Sequence, residues 1–243
     1  MTSTALVSGG KDSIYSAYLA ETQGWVIDEL LTIAPEDPDS MLFHTPNLRW
    51  VALQAKAWGK FHRAVSANGS GEDEESEALE RALSGSKGLV VAGAIQSSYQ
   101  WARLHRVCYW LGRRLFTPLW GKEPGTVVRA EIESGLDIRL VHLAAESLDP
   151  RLIGQRLDGT LLKELERRSR EIRRLNVAGE GGEFETLVVD APFFRKRLVI
   201  DEEEVSERGS TTRLTIRRAH LEDKGVLDAT VREGGSYPLS GSR

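Results

Sequence analysis

The residues of this chain best suited to do chemistry stand near its start: Ser8-Gly9-Gly10-Lys11-Asp12-Ser13. Paired glycines have no Cβ, so their backbone N–H groups can approach an anion closely. A helix beginning behind them leaves its first N–H groups without intrahelical partners and carries partial positive charge. Turn and helix together make a nest for phosphate. Ser8 and Ser13 add hydroxyls, and Lys11 adds a mobile cation. The spacing is not G-x-x-x-x-G-K-[ST], so this is not a Walker loop. A capped helix start with Ser8 or Asp12 serving the backbone is the plainer reading, but a cap needs no paired glycines.

A second stretch is Gly179-Glu180-Gly181-Gly182-Glu183-Phe184-Glu185-Thr186, three glycines and three carboxylates in eight residues. Such a composition makes a poor helix and a poor strand. A loop this costly to order usually serves a ligand. A third is the segment 97–112. Trp101, Leu104, Cys108 and Leu111 fall there at helical spacing and face a core, while Gln100, Arg103 and Arg106 fall on other faces. Arg103 and Arg106 are neighbours at i,i+3, placed either to clamp phosphate or to be solvated. Cys108 lies on the apolar stripe and reads as a small buried hydrophobe rather than a nucleophile.

The elements that must position these residues alternate. Ala5-Leu6-Val7 is a strand, followed by the glycine turn and a helical pattern over 14–21. Strands follow at 25–33, 61–67, 89–92 and 114–120, with helical stretches between them at 48–58, from an acidic loop and helix start at 69–76 on to 83, and at 97–112. That alternation means a doubly wound, parallel five-stranded sheet. In such a sheet, loops after strand C-termini line the ligand crevice. His44 stands on one of these loops and Gly93 at the end of another strand. A lone histidine there is as readily structural as functional. From 121 the texture changes to a smaller α+β unit: a helix at 127–134, a strand at 138–144, a long charged helix at 157–175, a strand from 187, and an antiparallel pair at 195–201 and 212–219. Residues 1–121, 122–221 and a loosely held polar tail at 222–243 are the expected divisions. The basic run Arg167, Arg168, Arg170 is either a partner surface or one side of i,i+4 ion pairs.

The chain has 243 residues, 40% apolar and 28% charged, which is ordinary for a globular protein. Without 18 consecutive apolar residues no membrane span is expected, and without a signal-peptide pattern a cytoplasmic setting is. A single cysteine excludes an internal disulfide framework and a cysteine-built zinc site. The net charge of −4 argues against nucleic acid as the main partner.

The pattern S-G-G-x-D-S resembles the pyrophosphate loop of enzymes that split ATP into AMP and pyrophosphate. Taken together, the stretches resemble one branch of that superfamily, the diphthine–ammonia ligases (diphthamide synthetases). The matching residues are the loop 8–13 and Phe43-His44-Thr45-Pro46-Asn47. They continue with Gly93-Ala94-Ile95, Tyr99-Gln100, Arg103, Arg106-Val107-Cys108, Pro118-Leu119-Trp120 and the whole of 179–186. The resemblance spans 2–195, and the last motif is the most specific. Departures are Phe184 where the family usually has tyrosine, Trp101 where it often has arginine, and His105 where it often has an acid.

The resemblance implies that ATP and ammonia convert diphthine, a modified histidine on translation elongation factor 2, to its amide, with release of AMP and pyrophosphate. A carboxylate oxygen is a poor leaving group, so the acid must first become an acyl-adenylate. The nucleotide site so implied comprises Ser8, Gly9, Gly10, Lys11, Asp12, Ser13, His44 and Gly93. Asp12 places Mg2+ and Lys11 offsets phosphate charge. The substrate side comprises Tyr99, Gln100, Arg103, Glu180, Gly181, Gly182, Glu183, Glu185 and Thr186. Glu183 and Glu185, and Glu180 beside them, either receive the trimethylammonium of diphthine or take a proton from ammonium. A homo-oligomer is left open. Other readings share the loop: sulfur-inserting tRNA enzymes, which need catalytic cysteines; amidotransferases, which carry a glutaminase domain; a tRNA-lysidine-type ligase; and a module that senses ATP or AMP without chemistry.

Overall fold

A computed structural model describes residues 2–35, 47–67, 72–85, 88–145, 147–172 and 175–225. The first half is built from β1 (Thr2–Leu6), α1 (Lys11–Thr22), β2 (Val26–Pro35), a 3-10 turn (Leu48–Trp50) running into α2 (Val51–Trp58), β3 (Phe61–Ala67), α3 (Glu72–Ser84), β4 (Leu89–Val91), α4 (Ser98–Trp110) and β5 (Arg114–Phe116). The five strands form one sheet in the order β3-β2-β1-β4-β5, every pair parallel. Parallel strands covered on both faces read as continuous apolar runs. Accordingly Leu30 and Leu31 of β2 are both fully buried, on opposite faces. Leu30, Ala5 and Val91 pack with α1 and α2, whereas Leu31 and Val90 pack with α3 and α4. This is the doubly wound arrangement expected.

The second half contains α5 (Pro124–Glu133), β6 (Asp137–Leu143), a 3-10 turn (Pro150–Leu152), α6 (Gly159–Glu171), β7 (Phe184–Asp190), β8 (Lys196–Arg208) and β9 (Thr211–Asp223). Its four strands make an antiparallel sheet, β7-β6-β9-β8. Glu123 caps α5 through Gly125 N and Thr126 N, with Pro124 in the first turn, and Asp158 caps α6 through Thr160 N and Leu161 N.

Several boundaries differ from the sequence expectation. α1 begins at Lys11, so the lysine and aspartate of the glycine motif belong to the helix. β5 stops at Phe116, because Pro118 has no N–H to extend the ladder. α6 ends at Glu171 rather than 175. β7 begins at Phe184, so the last three residues of the glycine–carboxylate stretch are strand and not loop. The β8–β9 hairpin is longer than read, and β9 continues to Asp223. His44 lies outside the described residues, as do most of the expected tail and Phe43-Thr45-Pro46. Two of the three arginines of that run are in ion pairs within α6: Arg167 with Glu164 and Glu171, and Arg168 with Glu164.

Candidate active site

The order β3-β2-β1-β4-β5 reverses direction between β1 and β4, which is where open α/β sheets bind ligands. The loop 8–13 sits at that point. Gly9 is left-handed (φ 84°), and a Cβ there would stand 2.8 Å from Gln54 Oε1. Ser13 Oγ donates to Gly10 O and accepts from Ser8 N, closing the turn on itself. The second sheet braces it from behind. Val188 N donates to Gly9 O at 3.0 Å. The buried Gln54 Nε2 donates to both Gly9 O (2.9 Å) and Val188 O (2.7 Å). Lys11 N donates to Thr186 Oγ1 at 3.1 Å. Gly93, just past β4, meets the loop edge-on: a Cβ there would lie 2.7 Å from Asp12 C and 2.8 Å from Ser13 N.

Two cavities open on this loop. The first is walled on its apolar side by Leu6, Leu31, Ile33, Ala92 and Leu104, from the ends of β1, β2 and β4 and from α4. An apolar slot ending in a phosphate nest suits a nucleotide base. The second is lined by Gly10, Phe184, Glu185 and Thr186 among others. Ser8, Asp12, Gln100 and Glu180 line both, so the cavities adjoin along these four residues. Of the substrate residues expected from the sequence, Glu180, Glu185, Thr186 and Gln100 are brought together here. The Arg103 guanidinium lies 3.6 Å over the Tyr99 ring, a cation–π pair on the same turn of α4.

The three glutamates of 179–186 do different things. Glu180 accepts from three successive backbone donors, Ile95 N (3.0 Å), Gln96 N (2.9 Å) and Ser97 N (3.0 Å), and so ties the glycine loop to the start of α4. Glu183 accepts from Asn176 N (3.0 Å) and Gly181 N (2.9 Å). Its carboxylate organises its own loop and lines neither cavity; Gly181 and Gly182 likewise serve the turn, Gly182 N donating to Gly179 O. Only Glu185 combines a place in the second cavity with a strand position, where His142 of β6 stands opposite it at 3.6 Å. Both ring nitrogens of His142 are buried without a hydrogen bond. Phe184 is buried in the core, which accommodates a ring without a hydroxyl.

Lys11 is not the mobile cation expected at the mouth of the loop. Its side chain is 1% exposed, and Nζ donates to Asp12 Oδ1 at 2.6 Å and stands 3.7 Å from Glu131 Oε2. Burial pulls its pKa down, but Asp12 and Glu131 outweigh that, so the ammonium is held above the ordinary lysine range. Burial pushes the Glu131 carboxyl well above the usual carboxylate range, against the pull of Lys11. Cys108 is buried as expected, and burial raises its thiol to about 11.

Sequence reasoning missed Glu131, His142 and Gln54. Glu131 left a trace: it follows Val127 and Val128 on the buried stripe of α5, where a carboxylate has no place unless partnered. His142 alternates with Val141 and Leu143 on a strand and leaves none.

Among the described residues no cluster of three or more His, Cys, Asp or Glu could hold a metal. One carboxylate is what a Mg2+ held mainly by phosphates requires, and Asp12, with Oδ1 taken by Lys11, borders both cavities. No helix among them is long and apolar enough to cross a membrane.

A five-stranded parallel sheet with a glycine turn after its first strand, joined to a four-stranded antiparallel sheet, defines an α/β protein with two adjoining cavities at the switch point of the first sheet. The chain belongs to the diphthamide synthase family: residues 1–115 match the diphthamide synthase N-terminal domain and 123–221 the C-terminal domain. Among its relatives, the diphthine–ammonia ligase of Mus musculus is 30% identical over 250 residues, covering 90% of this chain and 92% of that protein. That of Homo sapiens is 30% identical over 251 residues, with the same coverages of 90% and 92%. The Schizosaccharomyces pombe diphthine–ammonia ligase is 31% identical over 231 residues, 84% of this chain but 37% of that longer protein.

Proposed function

We propose that this protein is an ATP-dependent, AMP-forming ligase that amidates diphthine on translation elongation factor 2 with ammonia. The observation that carries the reading is the shared wall of Ser8, Asp12, Gln100 and Glu180, where the apolar cavity and the acid-lined cavity adjoin. A reaction between a nucleotide α-phosphate and a carboxylate needs two binding spaces joined at one point. The diphthine carboxylate oxygen attacks phosphorus, the bond to pyrophosphate breaks, and an acyl-adenylate forms. Ammonia then adds to the acyl carbon, a proton leaves the nitrogen, and AMP departs.

The residues take the following parts in this reading. First-turn N–H groups of α1, with Ser8 and Ser13, hold pyrophosphate as charge develops on it. Asp12 binds Mg2+, which neutralises phosphate charge. Glu185 faces the second cavity and accepts the proton from ammonium, with His142 beside it. Glu180 and Glu183 keep the glycine loop in place. Residues 1–121 form the ATP-binding unit, and the substrate-binding unit begins at 122 and runs through β9. The carrier of diphthine is a folded protein of the cytoplasm and docks over the second cavity.

Heavy oxygen placed in the diphthine carboxylate tests the chemistry. The reading expects one labelled oxygen in the AMP released. Unlabelled AMP, or label appearing in pyrophosphate, contradicts an acyl-adenylate at this site.

A further inference from the structure

Glu131 is one of the most deeply buried polar groups in the chain, at 0% exposure, and neither of its side-chain oxygens makes a hydrogen bond. It belongs to α5, which packs against α1, and it lines neither cavity. It is paired with Lys11 Nζ at 3.7 Å, Lys11 in turn donates to Asp12 Oδ1 at 2.6 Å, and the Asp12 carboxylate also acts directly on Glu131. A lysine at the start of a phosphate loop would be drawn outward, toward water and phosphate. Here it points inward, and the carboxyl group of Glu131 lies where the ammonium points. A buried carboxyl without hydrogen bonds is costly, and stability alone favours a hydrocarbon there.

We infer that Glu131 is a positioning residue for the reaction: it holds Lys11 beneath the loop, and Lys11 holds the Asp12 carboxylate at the junction of the two cavities. Glu131 touches neither cavity. It acts within a cluster of three groups, two carboxyls about one ammonium, that includes the proposed Mg2+ ligand. Oδ1 is bonded to Lys11, which holds the Asp12 carboxylate in one orientation at the wall of both cavities. Without Glu131, Lys11 has only Asp12, and the pair is free to rotate toward the cavity, where ammonium and Mg2+ compete for one carboxylate. Partners that orient metal ligands from behind typically contribute about 10–100-fold in affinity or activity.

The inference rests on the proposed function, and its test separates the two. Titration calorimetry of the wild-type protein with ATP, with and without Mg2+, comes first. If Mg2+ does not tighten ATP binding, the nucleotide reading falls and this one with it. If it does, Glu131→Leu, Lys11→Met and the double variant are compared. The expected result is that Glu131→Leu loses about tenfold of the Mg2+-dependent gain in ATP affinity and a similar factor in kcat, while KM for the protein substrate is unchanged. In the Lys11→Met background the same change has no further effect on kcat, and the double variant melts higher than Glu131→Leu alone, because it no longer buries an ammonium that has lost one of its two carboxylates. Retention of the full Mg2+ effect in Glu131→Leu overturns the inference. So does a Glu131→Leu effect that simply adds to that of Lys11→Met, since that would mark packing rather than positioning.

Discussion

Gly93→Ala is the smallest change that should disable the nucleotide site. The added Cβ would stand 2.7 Å from Asp12 C, 2.8 Å from Asp12 O and 2.8 Å from Ser13 N. All three are backbone atoms, so no side-chain rotation relieves the contact. Ordinary contact begins near 3.4 Å, so the end of β4 and the first turn of α1 must separate by about 0.7 Å. The loop cannot follow freely, because Val188 N and Gln54 Nε2 hold Gly9 O and Thr186 Oγ1 holds Lys11 N. Overpacking of this kind costs about 1–3 kcal/mol. A loss of about 2 kcal/mol lowers the melting temperature by about 4–8 °C in a chain of this size. If half of that appears as misplacement of the phosphate nest, ATP affinity falls about fivefold. Thermal unfolding and ATP titration of the purified variant measure both. Gly159→Ala is the control: nothing lies within 4 Å of its added Cβ, and it should change stability by no more than about 0.5 kcal/mol. A Gly93→Ala protein with unchanged melting temperature and unchanged ATP affinity would refute the close-approach argument.

Other consequences are as definite. Thr186→Val removes the acceptor of Lys11 N and should cost about 1–3 kcal/mol in denaturant unfolding; Thr186→Ser should restore most of it, and equal losses in the two variants would mean the hydroxyl is not the reason. Glu183→Gln leaves one acceptor oxygen for the two N–H groups of Asn176 and Gly181. Hydrogen exchange at those amides should quicken about tenfold with ATP affinity retained; unchanged exchange would argue against a loop-organising glutamate. The Cys108 thiol, raised to about 11 by burial, keeps its proton in the folded state where the unfolded chain has lost it. Stability should therefore fall as pH rises through about 9 toward 11, and Cys108→Ala should flatten that fall; identical profiles would contradict it.

The sequence carried the first sheet well, because its signals are local. Apolar runs such as 89–92 mark covered parallel strands, and Ser8-Gly9-Gly10 marks the turn between β1 and α1. The second sheet was harder to read. A glycine-rich run looks like a loop, yet Phe184, Glu185 and Thr186 are strand because β6 pairs with them, a contact some forty residues away. Within the site, residue types pointed to the right neighbourhood but not to the orientation of side chains. Three similar glutamates separate only in space: Glu180 on the backbone of 95–97, Glu183 on its own loop, Glu185 at the cavity. Lys11 shows the same limit. A lysine in a glycine loop suggests a cation reaching outward, yet Lys11 is buried between Asp12 and Glu131, the latter 120 positions away in the chain.

The most direct test of the account is one reaction containing ATP, Mg2+, ammonium and elongation factor 2 bearing diphthine, with nucleotides followed by chromatography and the factor by mass spectrometry. The account predicts AMP and pyrophosphate only when the factor is present, in step with conversion of its diphthine acid to the amide. Formation of ADP, or of AMP with the factor unchanged, would contradict it.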